Sequence, residues 1–326
     1  MTNGKNEPVP AGRPAQFARP DFSVERTSRG LAREGVHSPE NMNTKLVAAA
    51  ILGLGAYAFA QFGGQGEQSG GGRRFGSGID TGQTGGRCLV PGYRGTGEED
   101  VSTPRDIDRS GFVYARVRYH LQPWWRSETR EVPWHHDYPD GDTMFPTSLG
   151  RLTTTYTKPD SYQIVDIDSK ELFQYPFVYM SEPGYLNLLP ADVKNLREYL
   201  DRGGFLLMDD FRGNEFDNSQ FENMVVQLRK LFPDREMQPV PPSHGIFHMV
   251  FDLDPKNMLP PYRMYNSGDV QFFAISDPKG NIQVMIDFNN DISEYWQALD
   301  VGQCSIHESA TAVELGVNYA VYAMTH

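Results

Sequence analysis

The sequence predicts an α/β protein over residues 101–326: a three-layer sandwich built on a mostly parallel sheet. Three observations predict it. Short segments rich in β-branched and aromatic residues alternate with helical stretches that carry one apolar face. One segment, Phe205-Leu206-Leu207-Met208, has no polar position, which is the pattern of a strand covered on both faces. The helical stretch before it is bracketed by Pro190 at its start and Gly203-Gly204 at its end, the expected asymmetry of helix termini.

The elements follow in order. Phe112–Tyr119 and Tyr162–Ile167 read as strands. Phe177–Met180 is a third, ended by the turn signal Glu182-Pro183-Gly184. The helix opened by Pro190 puts Val193, Leu196 and Leu200 on one face, and the apolar strand Phe205–Met208 comes after it. A second helix spans Ser219–Phe232 and stops at Pro233. Val270–Ile275 and Ile282–Phe288 flank Asp277-Pro278-Lys279-Gly280, a hairpin-like turn. Asp291 is placed to cap a short helix containing Tyr295 and Trp296, with Glu294 three residues on as in a capping box. A last helix covers Ser309–Met324.

The first hundred residues are of another kind. Residues 1–41 have no apolar periodicity and read as a disordered tail, or as residues preceding the true start. Residues 42–60 have the layout of a secretory signal: Lys45, a mostly apolar run from Leu46 to Tyr57, and Ala58-Phe59-Ala60 as the cleavage site. The same stretch, retained, would be a membrane anchor, although it is short for a span. Residues 61–100 form a glycine-rich linker, with 14 glycines between positions 63 and 97. Arg73 and Arg74 lie in it and would meet an acidic or lipid surface. Cys88 also lies there, and in an oxidising compartment it is a candidate to pair with Cys304. The expected location is therefore periplasmic, with membrane association through the N-terminal segment.

Formal net charge is −12, and losing residues 1–60 removes seven basic and five acidic side chains, leaving −14. No basic surface large enough for a phosphate backbone is expected, so nucleic acid is not an expected partner. Two cysteines cannot build a four-thiolate zinc site.

The strings YPFVYMSEPG, LREYLDRGGFLLMDDF, SHGIFH, NNDISEYW and ELGVNYAVYAMTH occur in this order across residues 110–326. With them the chain resembles a bacterial domain-of-unknown-function family placed among the class-I glutamine-amidotransferase-like, flavodoxin-like folds. The resemblance implies the fold and no reaction. Working amidotransferases carry a nucleophilic cysteine on a tight strand-to-helix turn. Here the nearest comparable turn is expected after Met208, where Asp209 and Asp210 stand, and neither cysteine is near it in sequence. Cysteine-dependent glutamine hydrolysis is not expected.

Several groups remain that chemistry could use. Asp209 and Asp210 sit where a parallel strand ends, the position at which open α/β sheets place ligands. A carboxylate pair there holds a hard cation, divides acid and base roles, or simply caps a loop. His244 and His248 would share a face if their segment were a regular strand, and Asp287 and Asp291 lie in an oxygen-rich loop. These four are weak metal candidates. In His135-His136-Asp137 the adjacent histidines would point apart on an extended segment, so a packed or surface role is expected. Trp124, Trp125 and Arg126 are the aromatic and cationic group best suited to a partner surface.

The first functional expectation is a non-catalytic, extracytoplasmic subunit that braces a membrane protein complex, with no cofactor. The rival is a metal-assisted hydrolase acting on a carbohydrate or peptide through Asp209, Asp210 and His244. It requires those side chains to converge in one pocket. A third expectation is a periplasmic sugar-binding protein stacking its ligand on Trp124 and Trp125.

Overall fold

The computed structural model describes residues 107, 109–126, 132–158, 161–260 and 268–326. The expected tail, signal or anchor, and linker, together with Arg73, Arg74 and Cys88, lie outside the described residues.

A seven-stranded sheet runs in the order β2-β1-β3-β4-β7-β6-β5. Its strands are β1 (Tyr114–Arg118), β2 (Tyr162–Asp166), β3 (Phe177–Ser181), β4 (Phe205–Phe211), β5 (Gln238–Pro239), β6 (Gln271–Ser276) and β7 (Ile282–Phe288). The first five in that spatial order are parallel, while β5 and β6 are antiparallel additions at one edge. The parallel order 2-1-3-4-7 is that of a flavodoxin-like doubly wound sheet.

Among the described residues five α-helices cover it: α1 (Asp140–Leu152), α2 (Pro190–Asp201), α3 (Ser219–Leu231), α4 (Ile292–Gln297) and α5 (Ile306–Thr325). The two faces form two separate cores. Phe177, Tyr179, Phe205 and Leu207 point to the side of α1, α4 and α5. Their neighbours Val178, Met180, Leu206 and Met208 point to the side of α2 and α3. The side-chain period of two, apolar at every position, makes a strand that needs cover on both sides. This is the three-layer sandwich the sequence predicts.

The helix ends obey their signals. Pro190 opens α2, and Gly203 takes φ +98 just past its end, a left-handed conformation that costs glycine nothing. Asp291 caps α4, its carboxylate accepting the Glu294 amide. Helix α1 has no counterpart in the sequence reading, because Pro146 and Gly150 interrupt its pattern. Among the described residues no helix is long and apolar enough to cross a membrane.

Candidate functional site

The carboxyl ends of β1, β3, β4 and β7 face one edge of the sheet, and their loops meet there. Four non-glycine residues among those described have positive φ: Asp137 (63°), Glu182 (45°), Asp210 (58°) and Asn289 (59°). Glu182, Asp210 and Asn289 lie at or just beyond the ends of β3, β4 and β7, and Asp137 lies in the long connection that follows β1. Such backbone costs of order 1–3 kcal/mol per residue unless the surroundings hold it, and it clusters at sites. Asp and Asn tolerate the left-handed region better than most, whereas Glu182 has no such excuse.

The β1 loop is held by a buried ion pair. Arg116 Nη2 lies 2.6 Å from Asp142 Oδ2 on α1, and both side chains are fully buried. Nη1 of the same guanidinium donates to the carbonyls of Trp134 (3.2 Å) and His136 (2.8 Å). The segment expected to be extended is instead a 3₁₀ turn at Pro133–His135 followed by a left-handed Asp137. This geometry separates the two histidines in role. His135 packs against Trp134 and Tyr138, and burial with Arg116 nearby lowers its pKa to about 4. His136 turns to the strand ends.

There His136 Nδ1 lies 2.5 Å from Asp210 Oδ2 and 4.0 Å from Glu182 Oε1. On the other side of Asp210, Arg212 Nη2 sits 3.1 Å from Oδ1 and 3.7 Å from Asp291 Oδ2. Asp137 accepts hydrogen bonds from Ser293 Oγ and Gln297 Nε2 on α4, and Gln297 also donates to Glu294. One potential ligand atom from each of His136, Asp137, Asp210 and Asp291 falls within 4.8 Å of all the others.

The electrostatics follow from crowding. Burial disfavours the His136 imidazolium, but Asp137, Asp210 and Glu182 outweigh it and hold its pKa well above the ordinary value. Burial likewise opposes the Asp210 carboxylate, and His136 and Arg212 overcome it, so Asp210 titrates below its usual range. Asp291, buried against Asp210, Asp137 and Glu294, is pushed well above its usual range. Burial and the Asp210 charge lift Asp209 to about 8, and burial with Asp137 does the same for Glu294. Neighbouring carboxylates thus fall on opposite sides of neutrality, the pattern of groups with divided acid and base roles.

Asp209 and Asp210, adjacent in sequence, have different tasks. Asp210 joins the cluster. Asp209 is fully buried, and its Oδ2 receives the amides of Ile292 (2.9 Å) and Ser293 (3.4 Å), fixing the start of α4.

The rest of the expected set disperses. His244 accepts the Ile246 amide and packs against Tyr322, whose hydroxyl accepts the Ile282 amide at the start of β7. That is the opposite edge of the sheet from Asp210. His248 pairs with exposed Asp252, and Asp287 accepts the Tyr319 hydroxyl. The trio Asp209, Asp210 and His244 therefore does not assemble, nor do His244, His248, Asp287 and Asp291. The physical reason is that SHGIFH is a 3₁₀ turn, not a strand, so its spacing of four aligns nothing. His136 takes the place expected of His244; its signal was a histidine–aspartate pair in the loop that follows a parallel strand.

Of the tryptophans, Trp134 and Trp296 are core residues. Trp124 is 57% exposed and lies 5.8 Å from the Tyr185 ring, beside the β3 loop that carries Glu182. Trp125 is only half-exposed, so the two do not form one open stacking platform. The exposed Arg126 guanidinium turns back onto the carbonyls of Pro123 (2.7 Å) and Trp125 (2.6 Å). Cys304 is buried at the margin of the core, and its expected partner lies outside the described residues.

A family model described as a domain of unknown function (DUF4159) matches residues 114–324, which takes in the whole sheet and the cluster at its edge. No curated protein matches the chain.

Proposed function

The chain belongs to this domain-of-unknown-function family, and we propose that the domain is a hydrolase whose reactive centre is the carboxyl-edge cluster of His136, Asp137, Asp210 and Asp291. One observation carries the proposal: three separate strand-end loops bring these four side chains to a single point. Hydrolysis needs a group that takes a proton from water and one that returns a proton to the leaving group. An imidazole and a carboxylate in contact, with a second carboxylate alongside, supply both roles.

Access supports the same reading. The side chains of His136 and Glu182 are each about a quarter exposed, while Asp210 and Asp291 form a buried floor beneath them. A carbohydrate or a peptide suits this mouth, with Trp124 and Tyr185 as an adjoining aromatic wall. We read the fold more finely as amidotransferase-like without its cysteine. Left-handed carboxylate residues stand at the ends of both β3 (Glu182) and β4 (Asp210), and we take the β4 end as the counterpart of the turn that carries the nucleophile in working amidotransferases.

The test is turnover. Purified full-length protein is assayed against chromogenic glycosides, esters and peptides, beside Asp210→Asn with unchanged circular dichroism. Hydrolysis of at least one class, lowered about 100-fold or more in the variant, is expected for loss of an acid–base group. Equal rates in both proteins would overturn the proposal.

A second reading keeps the domain non-catalytic: an exported, membrane-associated subunit that braces a larger complex. The exposed Trp124 favours it, since an exposed tryptophan suits an interface anchor. Absence of turnover together with co-migration at fixed stoichiometry with a detergent-extracted membrane complex would select it.

A further inference from the structure

We propose that His136, Asp137, Asp210 and Asp291 hold one divalent cation of the hard-to-borderline class, such as Mn²⁺ or Mg²⁺. The inference sharpens the hydrolase reading and rests on the same cluster, but it is tested by a different readout.

The donor set suits such an ion. Three carboxylates and one imidazole within 4.8 Å of each other match the oxygen-rich, mixed-ligand preference of Mn²⁺ and Mg²⁺ better than that of soft metals. Side chains from three loops make a cage and not a single acidic turn.

A second, independent observation comes from Glu294. Its side chain is buried, and its Oε1 has no hydrogen-bond partner in the protein. Its other oxygen is tied through Gln297 to Asp137, which places the carboxylate at the cluster's edge. Leaving the Glu294 oxygen unsatisfied costs about 1–3 kcal/mol, and a cation or the water bound to it supplies the partner this acceptor lacks.

Charge points the same way. Asp137, Asp209, Asp210, Asp291 and Glu294 are buried together, and His136 and Arg212 lie against Asp210 and Asp291. A divalent cation held by these ligands would displace their shared protons and offset the repulsion between the carboxylates. Bound there, it would acidify a coordinated water, which is the chemistry hydrolysis needs.

The experiment is Mn²⁺ titration of EDTA-treated full-length protein by calorimetry, with electron paramagnetic resonance counting bound ions. One ion per chain is expected, with affinity lowered at least about tenfold in Glu294→Gln. Asp291→Asn should weaken it further, and Asp254→Asn, on a distant exposed loop, should leave it unchanged. If the aspartate variant does not fold, the isosteric Glu294→Gln still decides. Absence of stoichiometric binding, or binding equal in all folded variants, would overturn the site. Mn²⁺ bound without turnover upholds the site and removes the hydrolase reading. Turnover indifferent to EDTA, with no ion bound, does the reverse.

Discussion

Glu314 lies on the buried side of α5, away from the strand-end cluster, and its Oε1 has no hydrogen-bond partner. Burial alone lifts its carboxyl to about 7, so the folded protein holds a proton there that the unfolded chain releases near pH 4. The sign follows directly. The stabilising effect of that proton is complete below the unfolded value and is lost as pH rises through 7. Glu314→Gln is therefore expected to leave stability almost unchanged at pH 4 and to raise it at pH 8. The gain is on the order of 3 kcal/mol, the equivalent of the shift. Urea unfolding of both proteins at the two pH values checks it, and an equal gap at both would refute the burial argument. The strand-end carboxylates differ from Glu314 because their partners are each other. Asp210 stays ionised by leaning on His136 and Arg212, and its neighbours bear the cost.

At the scale of elements, packing of α5 depends on a position with no side chain. A Cβ added at Gly316 would come within 2.6 Å of both Phe145 on α1 and Trp296 on α4, whose rings stack at 4.3 Å. Gly316→Ala must push these rings apart, and a loss of about 1–3 kcal/mol is expected. Thermal unfolding checks it through a melting temperature lower by several degrees, and an unchanged value would mean that α5 is free to shift. This contact also marks what sequence can and cannot reveal. Helix α2 and strand β4 were legible because Pro190, Gly203 and an unbroken apolar run are local signals. Helix α1 was not, because Pro146 hides a pattern that only tertiary packing on Phe145 and Leu149 rescues. At the site, Asp210 was legible from its strand-end position. His136 was not, since the turn that redirects it is imposed by Arg116, twenty residues away. His244 stands apart for a related reason: the spacing of four has meaning only on a regular strand, and its segment is a 3₁₀ turn at the far edge.

For the whole molecule, the sandwich spends both faces on apolar cores and concentrates its buried charge at one edge. That distribution is poor for stability, since buried like charges repel and several backbone residues there are held in costly conformations. Proteins retain such features where function requires them. The chain as a whole also carries an excess of acid, with net charge −12. Asp291→Asn tests the balance, because asparagine caps α4 about as well as aspartate does. In EDTA, where no cation compensates, the variant is expected to melt at the same temperature as the parent protein or above it. An acidic cluster kept only for structure would instead lose stability.

The most direct measurement of the central claim is the turnover of Asp291→Asn on the substrate class that the parent protein hydrolyses. Both proteins are taken at equal concentration, with folding verified by their melting curves. The account predicts a loss of about 100-fold or more with the fold intact, as expected when a member of the reactive cluster is removed. Parental turnover in a folded Asp291→Asn protein would contradict it, and the carboxyl-edge cluster would then be a structural feature of the sandwich.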